Sequence, residues 1–262
     1  MNEIISLIIP TYNEAENIIP LIDAVLDVLH NKKYPAEIIV VDDDSSDGTW
    51  RLVKELADRN DSCVKLLRRL KKRGLSSAVL DGFKMAKGTI LGVMDADFSH
   101  PPSKLPKLID PLIRSTADVT LGSRYAKGGK ILNWPLRRQF TSRIATLLAR
   151  ALVPVKDPMS GFIFIKKEVI DGMILNPIGF KIGLEIIAKG KYKTIIEIPI
   201  TFKDRRYGKS KLGSRVGFDY LIQLIQLFFT RRNNVLPLKK YKLKSSFGVC
   251  FTERSSGLKP QN

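Results

Sequence analysis

The chain has 262 residues, an ordinary apolar fraction of 44% and a formal net charge of +18. This length and composition suit a folded α/β domain with a substantial core and exclude wholesale disorder. The charge is uneven, because residues 1–60 hold five Lys/Arg against twelve Asp/Glu and the positive excess lies in the later chain. An anionic partner, whether nucleic acid, a membrane surface or a phosphorylated substrate, therefore fits the later part.

Short β-branched runs alternate with helical patterns in the first half of the chain. The predicted strands are at residues 4–10, 37–42, 63–68, 89–95 and 118–124. The predicted helices between them are at residues 14–29, 47–59, 76–88 and 102–115. Continuous apolar strands separated by helices indicate a mostly parallel, Rossmann-like sheet with helices on both faces. In such sheets ligands bind beyond the carboxyl ends of the strands.

The second half of the chain is less regular, and we expect it to extend the same domain. Strands are predicted at residues 161–168 and 194–202, and a helix is predicted at residues 137–153. A further helix at residues 179–190 is expected to pack near the site. Residues 233–262 are polar, basic and poor in periodicity, so we expect a loosely ordered tail there.

The cysteine, histidine and hydropathy patterns predict no disulfide framework, no histidine metal site and no membrane-spanning segment. Cys63 and Cys250 predict no disulfide framework, and neither His30 nor His100 belongs to a metal-site pattern, so we assign the histidines no role. No leader is recognisable at the N-terminus. The longest later apolar stretch, residues 220–229, is shorter than the roughly 20 residues of a spanning helix, so we expect no segment that crosses a bilayer by itself.

Polar and acidic groups follow the carboxyl ends of four predicted strands. They are PTYNE after the first strand, DDDSSDGT after the second, DADFSH after the fourth and GSRY after the fifth. One acidic strand end can be a helix N-cap, and Ser46 and Asp47 can serve in that way. Three acidic strand ends at one edge of a sheet instead indicate a ligand site.

Asp95 and Asp97 are two residues apart at a strand end, so their side chains point to the same side. With no His or Cys nearby, carboxylates suit a hard cation such as Mg²⁺ or Mn²⁺, and substrate phosphates often complete its shell. Taken alone, two solvated surface acids would explain this pair equally well. Beside the other acidic strand ends, the pair predicts a metal-bound diphosphate.

The chain contains the motifs IIPTYNEAENI, IIVVDDDSSDGTW, GLSSAVLDGF, VMDADFSHPP, GSRYAKGG, DPMSGF and FKDRRYGKSKLG. Together they resemble the family 2 glycosyltransferases of the GT-A fold, and especially the dolichyl-phosphate mannose synthases. The resemblance runs from residue 4 to about residue 230, and SRYAKGG with NWPLRRQFTS, and RYGKSKL, are specific to lipid-phosphate acceptors. It implies a GT-A domain over residues 1–232, in which residues 203–232 form an acceptor loop and a C-terminal amphipathic, interfacial helix.

The resemblance also implies a nucleotide pocket and a cation site at the strand ends. The pocket would be lined by Pro10, Tyr12, Glu14, Val41 and Asp43, with Asp42 as a second candidate for the base contact. Asp95 and Asp97, with Ala96 between them, would hold Mg²⁺ or Mn²⁺ on the donor diphosphate. Some relatives have a glutamine ligand at the position of Ser99, so Ser99 or water would complete the ligands here.

Basic residues in the second half are implied in acceptor and donor binding. Arg124, Arg138 and Ser142 match positions that bind the acceptor phosphate, for which the planar guanidinium is well shaped. Arg205 and Lys211 lie on the loop that, in relatives, closes over the donor and neutralises its phosphates. Arg205 therefore joins the two aspartates of the DAD motif as a catalytic candidate.

The implied reaction is transfer of mannose from GDP-mannose to a dolichyl or polyprenyl phosphate. The acceptor phosphate is already anionic and needs no general base, so the protein must orient two anions and offset their repulsion. The cation would stabilise the leaving diphosphate, and direct displacement would invert the anomeric centre to give a β-mannosyl phosphate lipid. The implied location is peripheral, on the cytoplasmic face of the endoplasmic reticulum or plasma membrane. Some relatives use small membrane-spanning subunits.

Three alternatives remain open. A polyprenyl-phosphate glucosyltransferase would use the same scaffold with UDP-glucose, and side-chain types do not distinguish a guanine from a uracil pocket. A nucleic-acid-binding domain fits the net charge, but no RRM, KH, HTH or zinc motif is present, so we expect no nucleic-acid partner. A catalytically silent scaffold subunit of a membrane complex is disfavoured by the intact DAD motif and the set of arginines.

Residues 216–229 predict a helix of unusual amphipathicity. Its polar side chains are mainly Asp219, Gln223 and Gln226, which share one stripe, and the rest of its surface is apolar. Such a helix is either fully packed or lies in a membrane interface. Residues 203–244 hold twelve Lys/Arg against two Asp/Glu, which favours docking to an anionic leaflet.

Overall fold

The computed structural model describes residues 3–59, 63–71, 73–176, 181–203 and 214–233, the last range with side chains at 220–229. The strands are β1 (Ile5–Thr11), β2 (Ala36–Asp42), β3 (Val64–Arg68), β4 (Ile90–Val93), β5 (Val119–Ser123), β6 (Lys130–Leu132), β7 (Ile163–Lys166), β8 (Ile195–Pro199) and β9 (Thr201–Lys203). The helices are α1 (Ala15–Asn31), α2 (Thr49–Arg59), α3 (Leu75–Met85), α4 (Leu105–Ile113), α5 (Leu136–Arg150), α6 (Ile182–Lys189) and α7 (Ser214–Asn233).

Seven strands form one sheet in the order β3-β2-β1-β4-β7-β5-β8. Neighbouring strands are parallel except around β7, which runs antiparallel to β4 and to β5. The predicted mostly parallel sheet is therefore confirmed. Because β1 lies between β2 and β4, the carboxyl ends of these three strands are side by side. This arrangement brings the three acidic strand ends to one edge.

The core lies on both faces of the sheet. Alternation along β1 sends Ile5, Leu7 and Ile9 into a cluster with α1 and α4, and Ile8 into a second cluster with α3 and α6. Every residue of β1 is buried, as expected for a central parallel strand covered on both sides. Gly82 allows α3 to pack directly on β1, since a Cβ there would lie 2.7 Å from Ile8.

The single strand predicted at residues 194–202 is wrong, because the structure divides it between two sheets. β8 ends at Pro199 in the large sheet, while β9 begins at Thr201 and pairs with β6 in a separate two-stranded sheet. Ile200 makes the turn: its N–H donates to the Ser123 carbonyl, and its own carbonyl accepts from the Lys130 N–H. The second sheet therefore lies next to the carboxyl end of β5.

The C-terminal helix is longer than predicted. α7 spans Ser214–Asn233, whereas the sequence pattern covered residues 216–229. In the part of the chain that the structure describes, no helix is long and apolar enough to cross a membrane. The predicted tail at residues 233–262 lies outside the described residues apart from its first residue, so the domain boundary stays a prediction.

Candidate active site

Asp42 anchors the loop that follows β2. Its carboxylate accepts hydrogen bonds from the Thr11 hydroxyl at 2.9 Å, the Ser45 hydroxyl at 2.6 Å and the Ser45 N–H at 2.9 Å. The residue is fully buried. Its acceptor capacity is therefore largely used to join the ends of β1 and β2.

Asp43 is held by Arg69, a residue that sequence reasoning missed. Arg69 Nε and Nη2 donate to Asp43 Oδ1 at 2.7 and 2.5 Å, and the Gly74 N–H donates to Oδ2 at 2.7 Å. Arg69 also donates to Ser77 and Asp81 of α3. Both partners of the ion pair are buried. Fixed protein donors therefore orient this carboxylate.

The remaining nucleotide-pocket candidates lie at the ends of β1 and β2. Pro10 and Val41 are buried register partners on the two strands. Beyond them, the Arg73 guanidinium carbon is 5.2 Å from the centre of the Tyr12 ring, and Arg73 Nη1 donates to the Tyr12 hydroxyl at 3.3 Å. Glu14 precedes α1 and accepts a hydrogen bond from within that helix. Arg73 was not singled out from the sequence, where it belongs to a run of basic residues.

The segment after β4 makes a sharp turn that carries the DAD motif. Phe98 has a left-handed backbone with φ of 60°. The Ser99 N–H donates to Asp97 Oδ1 at 3.1 Å, and the Asp95 N–H donates to His100 Nδ1 at 3.0 Å. The Asp95 side chain is 31% exposed, and Asp97 is buried, as is Ala96 between them. One carboxylate therefore faces the site opening while its neighbour lies inside the turn.

The oxygen donors of this turn fit a hard divalent cation. Besides the two carboxylates, the Ser99 hydroxyl is buried and has no hydrogen-bond partner among the described residues. Oxygen donors of this kind are preferred by Mg²⁺ and Mn²⁺. Within the described ranges, no group of three or more His, Cys, Asp or Glu side chains could hold a metal ion. A cation here would thus need phosphate oxygens or water as further ligands.

Arg124 forms a buried two-pronged ion pair with Asp157. Arg124 Nε and Nη2 donate to the two Asp157 oxygens at 2.8 and 2.7 Å, and the Arg124 backbone N–H donates to the same carboxylate at 2.8 Å. The Asp157 N–H in turn donates to Glu197 of β8 at 3.0 Å. Burial works to lower the pKa of Arg124, but Asp157 outweighs it and the pKa is raised. Arg124 therefore stays charged inside the protein.

An aromatic cluster gathers the three acceptor candidates. It consists of Tyr125, Trp134 and Phe202. The guanidinium carbon of Arg124 lies 5.3 to 5.5 Å from all three ring centres, and that of Arg138 lies 4.1 Å from the Trp134 ring. The Ser142 hydroxyl is 3.3 Å from the Tyr125 hydroxyl. Aromatic faces attract cations, so this cluster brings two arginines and a hydroxyl together.

Lys181 is a further basic group at the site. Desolvation, aided by repulsion from Arg124, lowers its pKa to about 8, while Asp95 and Asp157 act in the opposite direction. The N-terminal end of α6 lies near the carboxyl end of β4, because a Cβ on Gly183 would be 2.9 Å from the Ser160 carbonyl and Ile163 pairs with Val93 of β4. The sequence predicted only that this helix packs near the site.

Two of the predicted site residues cannot be compared with the structure. Arg205 and Lys211 lie outside the described residues, so their place over the donor stays a prediction. The residues that sequence reasoning missed are Arg69, Arg73, His100, Asp157, Lys181 and Glu197. Asp157 had a signal, since it opens the motif DPMSGF, but no role followed from that motif alone.

Two curated relatives are similar to this chain over most of its length. The chain is 48% identical over 227 residues to the dolichol-phosphate mannosyltransferase of Pyrococcus furiosus, and the match covers 85% of this chain and 63% of that protein. The chain thus spans less than two thirds of the length of that relative. It is 39% identical over 258 residues to the dolichol-phosphate mannosyltransferase of Saccharomyces cerevisiae, covering 94% of this chain and 96% of that protein.

A solved structure and a family model complete the comparison. Glucosyl-3-phosphoglycerate synthase from Mycobacterium tuberculosis, in complex with Mn²⁺, UDP-glucose and phosphoglyceric acid, superposes with a TM-score of 0.61 at 20% identity. The match covers 88% of this chain and 80% of that chain, and it identifies the fold as GT-A. The family model for glycosyl transferase family 2 matches residues 6–173. With a match over more than half of its length, this chain belongs to glycosyl transferase family 2.

Proposed function

We propose that this chain transfers mannose from GDP-mannose to the phosphate of a dolichyl or other polyprenyl phosphate, with inversion at the anomeric carbon. The observation that carries the proposal is the set of Arg124, Arg138 and Ser142 around one aromatic cluster. Phe202 contacts both the Arg124 guanidinium and the ring of His100, which is hydrogen-bonded to Asp95 of the DAD motif. The proposed acceptor-phosphate site therefore lies next to the proposed diphosphate site. The names of the Pyrococcus and Saccharomyces relatives support the same reaction.

On the donor side, Asp95, Asp97 and the Ser99 hydroxyl would hold Mg²⁺ or Mn²⁺. When bound, the cation would stabilise the negative charge of the leaving nucleoside diphosphate. The oxygen donors described above support this assignment, as does the shared fold with a synthase whose complex contains Mn²⁺. Asp43, oriented by Arg69, is the proposed contact to the base, and Tyr12 lies across the same strand end.

On the acceptor side, an oxygen of the phosphate monoester attacks the anomeric carbon. The bond from that carbon to the donor phosphate breaks, and its electron pair leaves with the nucleoside diphosphate. No proton has to be removed from the attacking oxygen, so the proposal requires no general base. Arg124, Arg138 and Ser142 would bind the acceptor phosphate, and the positive charge of the two arginines would offset the repulsion between the two anions.

Two neighbouring helices expose an apolar surface that suits a lipid acceptor. We call it the α5/α7 surface, and its exposed members are Leu136, Phe140, Ile144, Leu147, Leu148, Leu221, Ile225, Phe228 and Phe229. On each helix these residues recur at spacings of three and four, which is one stripe. The Tyr220 hydroxyl donates to the Ala145 carbonyl, so the two helices touch. An exposed apolar surface of this extent is typical of an interaction site.

The membrane is the proposed partner of the α5/α7 surface. Gln223, part of the predicted polar stripe of α7, is buried and donates to the Lys181 carbonyl, and Leu224 and Leu227 are buried beside it. Gln226 of the same stripe is exposed, so the stripe does not face the protein as a unit. The other apolar residues of α7 named above are left outside. Arg138 and Ser142 lie on α5 itself. A helix on the leaflet would therefore present both phosphate-binding side chains at headgroup level, where a polyprenyl phosphate carries its charge.

The direct test is transfer of labelled sugar to a polyprenyl phosphate in detergent. GDP-mannose should serve as donor, and the transfer should disappear when EDTA removes divalent cations and return with Mg²⁺ or Mn²⁺. UDP-glucose is the matched second donor. Transfer from UDP-glucose alone would identify the chain as a glucosyltransferase, and transfer from neither donor would contradict the proposal.

The acceptor role predicts a selective effect on one substrate. Arg138→Ala should raise the KM for the polyprenyl phosphate by about 30-fold, corresponding to roughly 2 kcal/mol for a lost charged contact. Ser142→Ala should act in the same direction with a smaller effect, since a neutral hydroxyl is lost. The KM for GDP-mannose should stay near that of the parent in both. Steady-state kinetics in detergent, with each substrate varied in turn, provides the measurement.

A matched control for this pair is available on the same helix. Arg143 is exposed on α5 and makes no contact with the aromatic cluster in the described part of the chain. Arg143→Ala should therefore leave both KM values unchanged. If Arg138→Ala instead weakened both substrates equally, its assignment to the acceptor would be wrong.

The membrane proposal predicts co-sedimentation with anionic vesicles at low salt. High salt should release the chain, because exposed charges are screened. Phe140→Glu combined with Leu147→Glu should leave most of the protein in the supernatant, since each side chain is 67% exposed on the α5/α7 surface. Leu70→Glu is the matched control, because Leu70 is 66% exposed beyond β3. A parent chain that stays in the supernatant at low salt would contradict direct docking.

A further inference from the structure

His100 lies buried beside Asp95, five residues further along the chain. Its Nδ1 accepts a hydrogen bond of 3.0 Å from the Asp95 backbone N–H. Its Nε2 is 3.7 Å from Oδ2 of the same aspartate. One nitrogen of the ring therefore faces the main chain of Asp95, and the other faces its carboxylate.

The hydrogen bond at Nδ1 determines where the ring carries its proton. A nitrogen that accepts a hydrogen bond has no proton of its own, so the proton of the neutral imidazole is on Nε2. The Nε2–H group is then directed toward Asp95 Oδ2. Because 3.7 Å is longer than a hydrogen bond, the bond at Nδ1 is the contact through which His100 fixes the main chain from which the Asp95 carboxylate projects.

Two aromatic rings pack against the imidazole. It stacks on Phe162 with 4.8 Å between ring centres and 8° between planes, and it meets the edge of Phe202 at 5.9 Å. These contacts hold the ring beside Asp95, with Nδ1 at the Asp95 main chain.

The backbone between the two residues is strained. Phe98 has φ of 60°, which lies in the left-handed region that L-residues other than glycine rarely adopt. Such a conformation persists only where the surrounding contacts hold it. Hydrogen bonds from the Ser99 N–H to Asp97 and from the Asp95 N–H to His100 help to close this turn. Loss of the second would remove one of the contacts that hold the turn with both carboxylates.

We infer that His100 is a positioning residue for the cation site, which it serves by fixing the direction of the Asp95 carboxylate. The inference rests on the proposed function, because it takes Asp95 as a ligand of the donor's Mg²⁺ or Mn²⁺. His100 makes no bond to the cation itself, since Nδ1 is used by the backbone and Nε2 carries a proton. Groups that orient a metal ligand typically contribute about 10- to 100-fold to metal affinity.

The test compares His100→Asn with His100→Ala in the full chain. Both variants remove the ring from Phe162, so both suffer the same loss of packing. Only the asparagine has an acceptor, Oδ1, at the same bond separation from the backbone as Nδ1. Binding of Mn²⁺ alone is measured by the electron paramagnetic resonance signal of the free ion, and the Tm is measured in parallel. His100→Ala should bind Mn²⁺ roughly tenfold more weakly than the parent, and His100→Asn should recover most of that loss.

Equal Mn²⁺ affinities of the alanine and asparagine variants would overturn the inference, whatever their Tm values. A purely structural role would lower both Tm values and leave the Mn²⁺ affinity of the folded protein unchanged. If neither small variant folds, His100→Phe decides, because it keeps a ring on Phe162 and removes both nitrogens. It should bind Mn²⁺ about tenfold more weakly, and parent-like affinity would overturn the inference.

Asp95→Asn separates this inference from the proposed function. It should lose Mn²⁺ binding more completely than any His100 variant, because it removes a ligand charge. If Asp95→Asn binds Mn²⁺ like the parent, the cation site is not at Asp95, and the cation assignment of the proposed function fails together with the role of His100. If only the His100 variants bind like the parent, the cation site stands and His100 has no part in it.

Discussion

Asp97→Asn should lower kcat/KM for mannosyl transfer by about 10³ or more, which corresponds to roughly 4 kcal/mol of transition-state stabilisation. The reason is the loss of a buried negative charge next to the proposed site of the donor diphosphate. The fold should survive, because the Ser99 N–H donates to Asp97 Oδ1 and the amide oxygen of asparagine can accept the same bond. Asp95→Asn should have an effect of similar size. Initial rates are measured with Mg²⁺ or Mn²⁺ raised to saturation.

A charge change elsewhere serves as the control for the aspartate variants. Asp58 is 65% exposed on α2, where it pairs with Lys54. Asp58→Asn should transfer mannose at the parent rate, since an exposed pair of this kind contributes little. Near-parent activity of Asp95→Asn or Asp97→Asn at saturating metal would remove that residue from the cation site.

Asp157→Ala should lower the free energy of unfolding by about 3–5 kcal/mol, because it leaves the Arg124 guanidinium buried without its partner. Both side chains of this pair are almost fully buried, so solvent cannot take over the role of the carboxylate. The variant also removes the acceptor for the Arg124 backbone N–H. Urea denaturation followed by circular dichroism provides the measurement, and Asp58→Ala should change the midpoint little.

A double variant separates the structural role of Arg124 from its proposed role at the acceptor. Arg124→Met with Asp157→Leu leaves no unpaired charge in the interior, so it should regain much of the stability that Asp157→Ala loses. It should nevertheless transfer mannose far more slowly, since the guanidinium is absent. A stable and fully active double variant would show that Arg124 has no part in the reaction.

The strand ends of β1, β2 and β4 could be predicted from the sequence because two simple rules act together. Apolar runs separated by helices indicate a parallel sheet, and parallel strands that share a direction carry their following loops to one edge. Asp43, Asp95 and Asp97 lie at that edge as predicted. Their chemical roles stay predictions, and so do those of Arg205 and Lys211.

The partners of these residues could not be predicted in the same way. Arg69 lies 26 residues beyond Asp43, and Asp157 lies 33 residues beyond Arg124. In the sequence Arg69 is one of several consecutive basic residues, and Asp157 is a lone acid, so the ordinary expectation for each is a solvated surface charge. His100 is only five residues from Asp95, but its proposed role depends on Phe162 and Phe202, which are far from it in the sequence.

The sequence by itself determined the family, the mostly parallel sheet and the edge at which the polar strand ends meet, because these depend on local periodicity and motif spacing. Only the tertiary structure decided which charges are buried, how the chain passes from β8 to β9, and which side of α7 faces the protein. Burial depends on contacts between distant segments: Arg124 is enclosed by Asp157 and the aromatic cluster, and Gln223 is covered by the start of α6. No local pattern contains that information.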